Sequence, residues 1–258
     1  MPTRRWKTLV TPPRSGVENM ALDEALMATA AASGDWIFRV YAWSEPTVSF
    51  GRNQAAARHY DPERLAEHSF AVVRRPTGGR AILHYREITY SVAAPAVDAG
   101  GLHESYLLIN RLLVDGLAEL GILVSIAGAR PQPMQPGPMP CFDHPSGGEL
   151  IAGGRKLVGS AQWRSERALL QHGSILVDDD QSQLTGLLRQ PAAAPPSAAT
   201  LRDLLGEAPS LERVADAIFS VVAREDPNAS PLSVDQSLIE SCSRLSARYA
   251  DPAWTWRR

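Results

Sequence analysis

The residues with the clearest chemical potential are Cys141 and Lys156. Cys141 sits in PQPMQPGPMPCFDHPSGG (131–148), which holds too many prolines and glycines for a helix or a central strand and is expected to be a loop. A loop thiol is either a half-buried bystander or an accessible nucleophile, and its neighbours in sequence leave both readings open. A thiol of pKa about 8.5 needs a cation or base beside it to be mostly thiolate at neutral pH. Lys156, His144, His84 and His172 are the candidates. Lys156 is one of only two lysines, with Lys7, among 26 basic residues. Arginine keeps its proton, whereas a lysine ammonium can release one when its surroundings lower its pKa. Lys156 follows Cys141 by 15 residues, past an expected chain reversal that would turn it back toward the loop, although the position also suits an exposed strand lysine. Cys141 and His144 have the C-x-x-H separation of a ligand pair, but a structural zinc site takes four ligands. The other cysteine, Cys242, shares a helical face with Leu238, Leu245 and Tyr249 and is expected in the core, so no metal is expected.

A second constellation is RRPTGGR (74–80), where a strand ends in a Gly-Gly turn. Glycines let a backbone approach a ligand closely and leave N–H groups available to an anion or carbonyl. Alone, a Gly-Gly pair is more often a plain turn. His84 follows on the next apolar run, where it is a ligand contact or a satisfied core histidine, and the pattern favours the latter.

These groups need a scaffold. Ser15 and Glu18 have capping-box spacing and open a helix that runs to Gly34. WIFRVYAW (36–43) and TVSF (47–50) read as strands paired across a Glu45-Pro46 break. Asp61-Pro62 starts a short helix to about Ser69. FAVVRR (70–75) and EITYSVAA (87–94) read as strands on either side of the Gly-Gly turn. Leucines at helical spacing give a helix from Leu102 to Leu120 that stops at Gly121. ILVSIA (122–127) reads as a strand, Gly153-Gly154 as a hairpin turn, and ALLQHGSILV (168–177) as a further strand. PAAAPPSAAT (191–200) is a low-complexity connector before two helices, Leu211 to Val222 and Leu238 to Tyr249. Strand runs with short turns, interrupted by isolated helices, predict an α+β fold with a mixed, largely antiparallel central sheet and flanking helices. The expected layout is a catalytic unit over 1–190, the connector over 191–200, and a helical C-terminal extension over 201–258 packed on the same domain.

Composition narrows the function classes. With 258 residues, 44% of them apolar and 21% charged, the chain reads as an ordinary soluble protein of one or two domains. A net charge of −2 supplies no global field for nucleic acid or an anionic membrane. No apolar run approaches the roughly 18 residues of a spanning helix, and the first residues lack the apolar stretch of a secretory signal. Two cysteines make no disulfide framework, so a cytoplasmic setting is expected.

Taken in order, NMALDEAL, RRPTGGRAILHYREITYSV, CFDHPS, GRKLVGSAQ and QHGSILVD resemble the family of lipoate-protein ligases, octanoyltransferases and biotin ligases, from about Trp6 to Leu188, with an echo in DPAWTW near the end. The family fold is a mixed sheet with flanking helices. The resemblance implies that Arg74, Arg75, Gly78 and Gly79 line an acyl tunnel and that Lys156 is the active-site lysine. It makes His84, Gly159 and Ser160 substrate-binding candidates. ATP-dependent members usually carry an Asn-Asp pair where this chain has Cys141-Phe142-Asp143. CFDHPS is similar instead to the octanoyltransferases with a cysteine in this loop, which move octanoyl from acyl carrier protein to a lysine of a lipoyl domain through an enzyme thioester. The donor implied is octanoyl-acyl carrier protein. The acceptor is a lipoyl-domain protein such as glycine cleavage H protein or a dehydrogenase E2 subunit, and no cofactor is needed because a thioester is already activated. Three alternatives are an ATP-dependent ligase, an amidotransferase between lipoyl domains, and a non-catalytic binder with an inert Cys141.

Overall fold

The computed structural model describes residues 4–97, 101–128 and 148–257. The chain begins with β1 (Trp6–Val10), α1 (Gly16–Ser33), β2 (Trp36–Tyr41), β3 (Thr47–Phe50), α2 (Ala56–His59) and α3 (Pro62–Glu67). It continues through β4 (Ala71–Arg74), β5 (Ile82–His84), β6 (Glu87–Pro95), α4 (Leu102–Glu119), β7 (Ser125–Ile126), β8 (Leu150–Ala152), β9 (Arg155–Arg164) and β10 (Ala168–Leu176). It ends with α5 (Gln183–Gly186), α6 (Leu201–Leu205), α7 (Leu211–Glu225), β11 (Ser230–Pro231), α8 (Gln236–Ala250) and α9 (Pro252–Thr255).

Among the described residues, eight strands form one mixed sheet in the order β11-β1-β2-β6-β10-β9-β8-β7, antiparallel from β2 onward. A second sheet, β4-β3-β5, lies apart from it. The fold is therefore α+β with a large, mostly antiparallel central sheet, as the strand and helix pattern implied. β2, β6 and β10 are buried along their whole length, the signature of strands covered on both faces. On one face Phe38, Tyr90 and Val92 meet Leu112 and Leu113 of α4 and Ile218 of α7. The other face carries three rows. Ile37, Ala93, Leu170 and Trp163 form the first, under Leu22 and Leu26 of α1. Arg39, Ser91, His172 and Ala161 form the second, and Tyr41, Thr89, Ser174 and Gly159 the third.

Several local expectations hold for their stated reasons. Ser15 Oγ accepts from the Glu18 N–H at 3.3 Å while Glu18 accepts from the Ser15 N–H at 3.0 Å, closing the capping box. Asp61 caps α3 and Pro62 opens it. Gly153 and Gly154 have φ of 55° and 78°, the left-handed pair that a two-residue hairpin between β8 and β9 requires.

Other expectations are corrected. β2 and β3 do not pair: Pro46 breaks the ladder, β2 pairs with β1 and β6, and the chain crosses to the second sheet. FAVVRR and EITYSVAA are strands on either side of the Gly-Gly turn, as expected, and they fall in different sheets with β5 between them. ILVSIA shrinks to Ser125–Ile126 because its partner β8 is itself only three residues long. The N-terminal β1, whose Lys7 Nζ donates to Ser230 Oγ at 2.7 Å, was not foreseen. α7 packs on α4 and α8 on α1, so the late helices rest on the sheet's own cover. Cys242 is half-buried beside the apolar cluster of α1, and burial raises its thiol pKa. No helix among the described residues is long and apolar enough to cross a membrane.

Candidate active site

A cavity of ≈ 320 Å³ lies where the third row of the large sheet meets the second sheet. Met20, Tyr41, Trp43 and Ile82 give it an apolar wall, while Arg75, Gly79 and Arg80 supply a wall from the RRPTGGR turn. β9 and β10 contribute Gly159, Ser160, His172 and Ser174, and Tyr106 and Glu149 complete one end.

The turn is held from several directions. Arg75 donates to the carbonyls of Ser49 (2.9 Å), Gly78 (2.9 Å) and Arg80 (2.7 Å). Gly79 has φ of 94°, and a Cβ there would lie 2.8 Å from Arg75 Nη2. Gly51, at the end of β3, allows a closer approach still: a Cβ on it would stand 1.9 Å from the Gly79 carbonyl oxygen. Gly78 contributes its carbonyl to Arg75 and does not line the cavity. Arg74 also departs from the expectation that it lines the acyl tunnel. Its fully buried guanidinium points the other way, toward the carbonyls of Gly51, Gln54, Trp254, Thr255 and Arg257, at 2.7–3.0 Å. Burial first, then the charges of Arg257 and Arg75, lower its pKa to about 10. Strand alternation places these two neighbours on opposite sides, which the doubled arginine in the sequence does not reveal.

His84 is both a core histidine and a cavity wall. It stacks on Trp43 at 3.8 Å between ring centroids, and its two nitrogens meet Ser49 Oγ and Glu87 Oε1, each at 2.7 Å. Ser160 Oγ lies 2.7 Å from the Tyr90 hydroxyl, which also accepts from Gln171 at 2.8 Å. Burial pushes the Tyr90 phenol up to about 12 and also raises Tyr106, so both stay protonated at neutral pH.

Lys156 is no exposed strand lysine. Only 3% of it is accessible, and its Nζ lies 2.6 Å from Glu149 Oε1. Glu149 lines the cavity and Lys156 stands directly behind it, at a β-bulge between β8 and β9. Cys141 and His144 lie outside the described residues.

Sequence reasoning missed the buried group at the centre of the second row. Asp23, from ALDEAL, accepts from Arg39 (2.7 Å), Ser91 (2.8 Å), Tyr41 (2.9 Å) and His172 (3.1 Å). Burial pushes its carboxyl upward, but the hydrogen bond from His172 and the charge of Arg39 outweigh this and hold it below the usual carboxylate range. Burial dominates for His172 and keeps its imidazole below the ordinary value, so it is neutral near pH 7. The available signal was Arg39 inside the otherwise apolar WIFRVY, since an arginine in a central strand demands a carboxylate across from it.

Residues 15–223 match the family model described as the lipoyl protein ligase A/B catalytic domain. The chain is 38% identical to octanoyltransferase LipM of Kyrpidia tusciae, with 98% of this chain and 99% of that protein aligned. It is 31% identical to octanoyltransferase LipM of Staphylococcus aureus, over 99% of this chain and the whole of that protein. Among solved structures, lipoate-protein ligase A bound with ATP superposes with a TM-score of 0.79 at 20% identity, covering 98% of both chains. A bi-partite lipoate protein ligase of Thermoplasma acidophilum superposes with a TM-score of 0.76 at 19% identity, covering 98% of this chain and 96% of that one.

Proposed function

Because the chain belongs to the lipoyl protein ligase A/B catalytic-domain family, we propose that it is an octanoyltransferase that moves octanoyl from acyl carrier protein to a lysine of a lipoyl domain, in the cytoplasm, through a thioester on Cys141. The observation that carries the reading is end-to-end similarity to octanoyltransferases. The apolar cavity ending at a buried Lys156–Glu149 pair supports it physically.

The chemistry divides into two steps. The Cys141 thiolate adds to the donor's thioester carbonyl, the carrier thiol leaves, and one thioester replaces another at near-zero cost. The acceptor lysine amine then attacks the Cys141 thioester, an amide forms, Cys141 leaves as thiolate, and the nitrogen sheds a proton. The walls formed by Met20, Tyr41, Trp43 and Ile82 hold the alkyl chain, each buried methylene contributing about 0.8 kcal/mol. Lys156 Nζ and Glu149 Oε1, 2.6 Å apart with Glu149 in the cavity wall, are the polar pair nearest at hand for the proton that the acceptor nitrogen sheds.

The test is transfer from octanoyl-acyl carrier protein to an apo lipoyl domain, with and without ATP and magnesium. Product without nucleotide supports the reading. Product only from free octanoate or lipoate with ATP assigns the protein to the ligases instead.

A further inference from the structure

Asp23, His172 and Thr77 form a continuous buried chain that neither acyl step uses. His172 Nδ1 lies 3.1 Å from Asp23 Oδ2, and His172 Nε2 lies 2.6 Å from Thr77 Oγ1. Asp23 is wholly buried and its other neighbours, Arg39, Tyr41 and Ser91, are all donors. A carboxylate only accepts, so the proton of a neutral imidazole must sit on Nδ1 and the Nε2 lone pair must face Thr77. The Thr77 hydroxyl then has one available role toward this ring, as donor.

That bond joins two layers. Thr77 opens the Thr77-Gly78-Gly79 turn, whose Gly79 lines the cavity from the side of the second sheet, and His172 of β10 lines it from the large sheet. The turn's other holds come from its own side: Arg75 binds the Gly78 and Arg80 carbonyls, the Arg52 N–H binds the Thr77 carbonyl at 2.7 Å, and Gly51 abuts Gly79. Among the described residues, Thr77 Oγ1 to His172 is the hydrogen bond that ties the turn to the large sheet. We infer that Asp23, acting through His172, is a positioning residue that fixes the height of this turn above β10 and thereby the clearance of the acyl cavity. The inference rests on the octanoyl-transfer reading for its consequence and on hydrogen-bond geometry for its mechanism.

Two measurements separate these. Nitrogen-15 NMR of the full chain at pH 7.5, with the signal assigned by its loss in His172→Gln, reads the tautomer directly. The Nδ1–H form is expected, and an Nε2–H imidazole in the folded protein would overturn the relay whether or not the protein transfers octanoyl. The second measurement is steady-state transfer by Thr77→Val and Thr77→Ser. Thr77→Val removes the donor at similar shape and is expected to raise KM for octanoyl-acyl carrier protein about tenfold, the size of losing one buried hydrogen-bond partner, with most of the loss in KM rather than kcat. It should also improve decanoyl relative to octanoyl donors as the turn loosens. Thr77→Ser keeps the hydroxyl and should restore both values. A Thr77→Val enzyme with unchanged KM and chain-length preference overturns the positioning role. An inactive wild-type protein with the Nδ1–H tautomer overturns the transfer reading alone. Asp23→Asn should mix the two His172 tautomers, and because it strips a buried arginine of its partner, the Thr77 pair decides the matter if that variant does not fold.

Discussion

At the scale of single residues, Lys156 and His172 carry the sharpest expectations. Lys156 is buried with its Nζ on Glu149, and an arginine there would put a broad planar guanidinium where a compact ammonium now sits. Lys156→Arg should slow acyl transfer by about 10²-fold or more, the usual worth of a displaced acid–base group, and single-turnover measurements that follow Cys141 acylation and lysine acylation separately will show which step suffers. Near-normal rates in both would mean that positive charge alone suffices. His172 bears on stability. Its pKa in the folded protein lies below the ordinary 6.5, burial being the first cause, so the unfolded chain binds the extra proton first as pH falls. The stability contributed by the neutral imidazole is therefore complete above about pH 6.5 and is lost progressively below it. Asp23, held below its ordinary 3.8, adds a second loss as the pH falls below that value. Urea midpoints between pH 8 and 3 should show both declines, and His172→Gln should flatten the first one.

At the scale of elements, close approach between β3 and the Gly78-Gly79 turn gives a contrast between glycines. Gly51→Ala drives a methyl into the Gly79 carbonyl, whereas Gly78→Ala meets nothing within 4 Å. The first should destabilise by about 1–3 kcal/mol, as overpacking does, and depress transfer; the second should leave the thermal midpoint unchanged. Equal midpoints for the two variants would contradict the packing. This contrast also marks what the sequence makes legible. Helix ends announce themselves through local chemistry, as Ser15-Glu18 and Asp61-Pro62 do, and a hairpin announces itself through Gly153-Gly154. The partition of strands between two sheets does not, because β2 and β3 are adjacent in sequence, alike in composition and equally buried, and only their partners farther along the chain, β6 for one and β4 and β5 for the other, separate them. The same limit applied to the site. Lys156, Gly79, Gly159 and Ser160 could be nominated from motifs, whereas Asp23, Thr77 and Glu149 gain meaning only when β10 and the turn are brought together.

At the scale of the whole molecule, Arg74 ties the RRPTGGR turn to the end of the chain. Its guanidinium binds the carbonyls of Trp254, Thr255 and Arg257 while Trp254 Nε1 donates back to the Arg74 carbonyl at 3.0 Å, and α8 closes over α1. Arg74→Gln should leave several buried carbonyls without donors, lower stability by about 2 kcal/mol or more, and raise amide exchange in residues 251–257 before it does so elsewhere. Protection unchanged in that segment would separate α9 from the turn. The late helices thus hold the RRPTGGR turn from its outer side, and the octanoyl-transfer reading proposed above turns on a thioester at Cys141. The most direct test is intact mass after mixing the protein with octanoyl-acyl carrier protein in the absence of ATP. One octanoyl group should appear, sensitive to hydroxylamine, retained in Cys242→Ala and absent in Cys141→Ala. A protein that transfers octanoyl to a lipoyl domain but gains no mass, or gains it equally in Cys141→Ala, would contradict the thioester route.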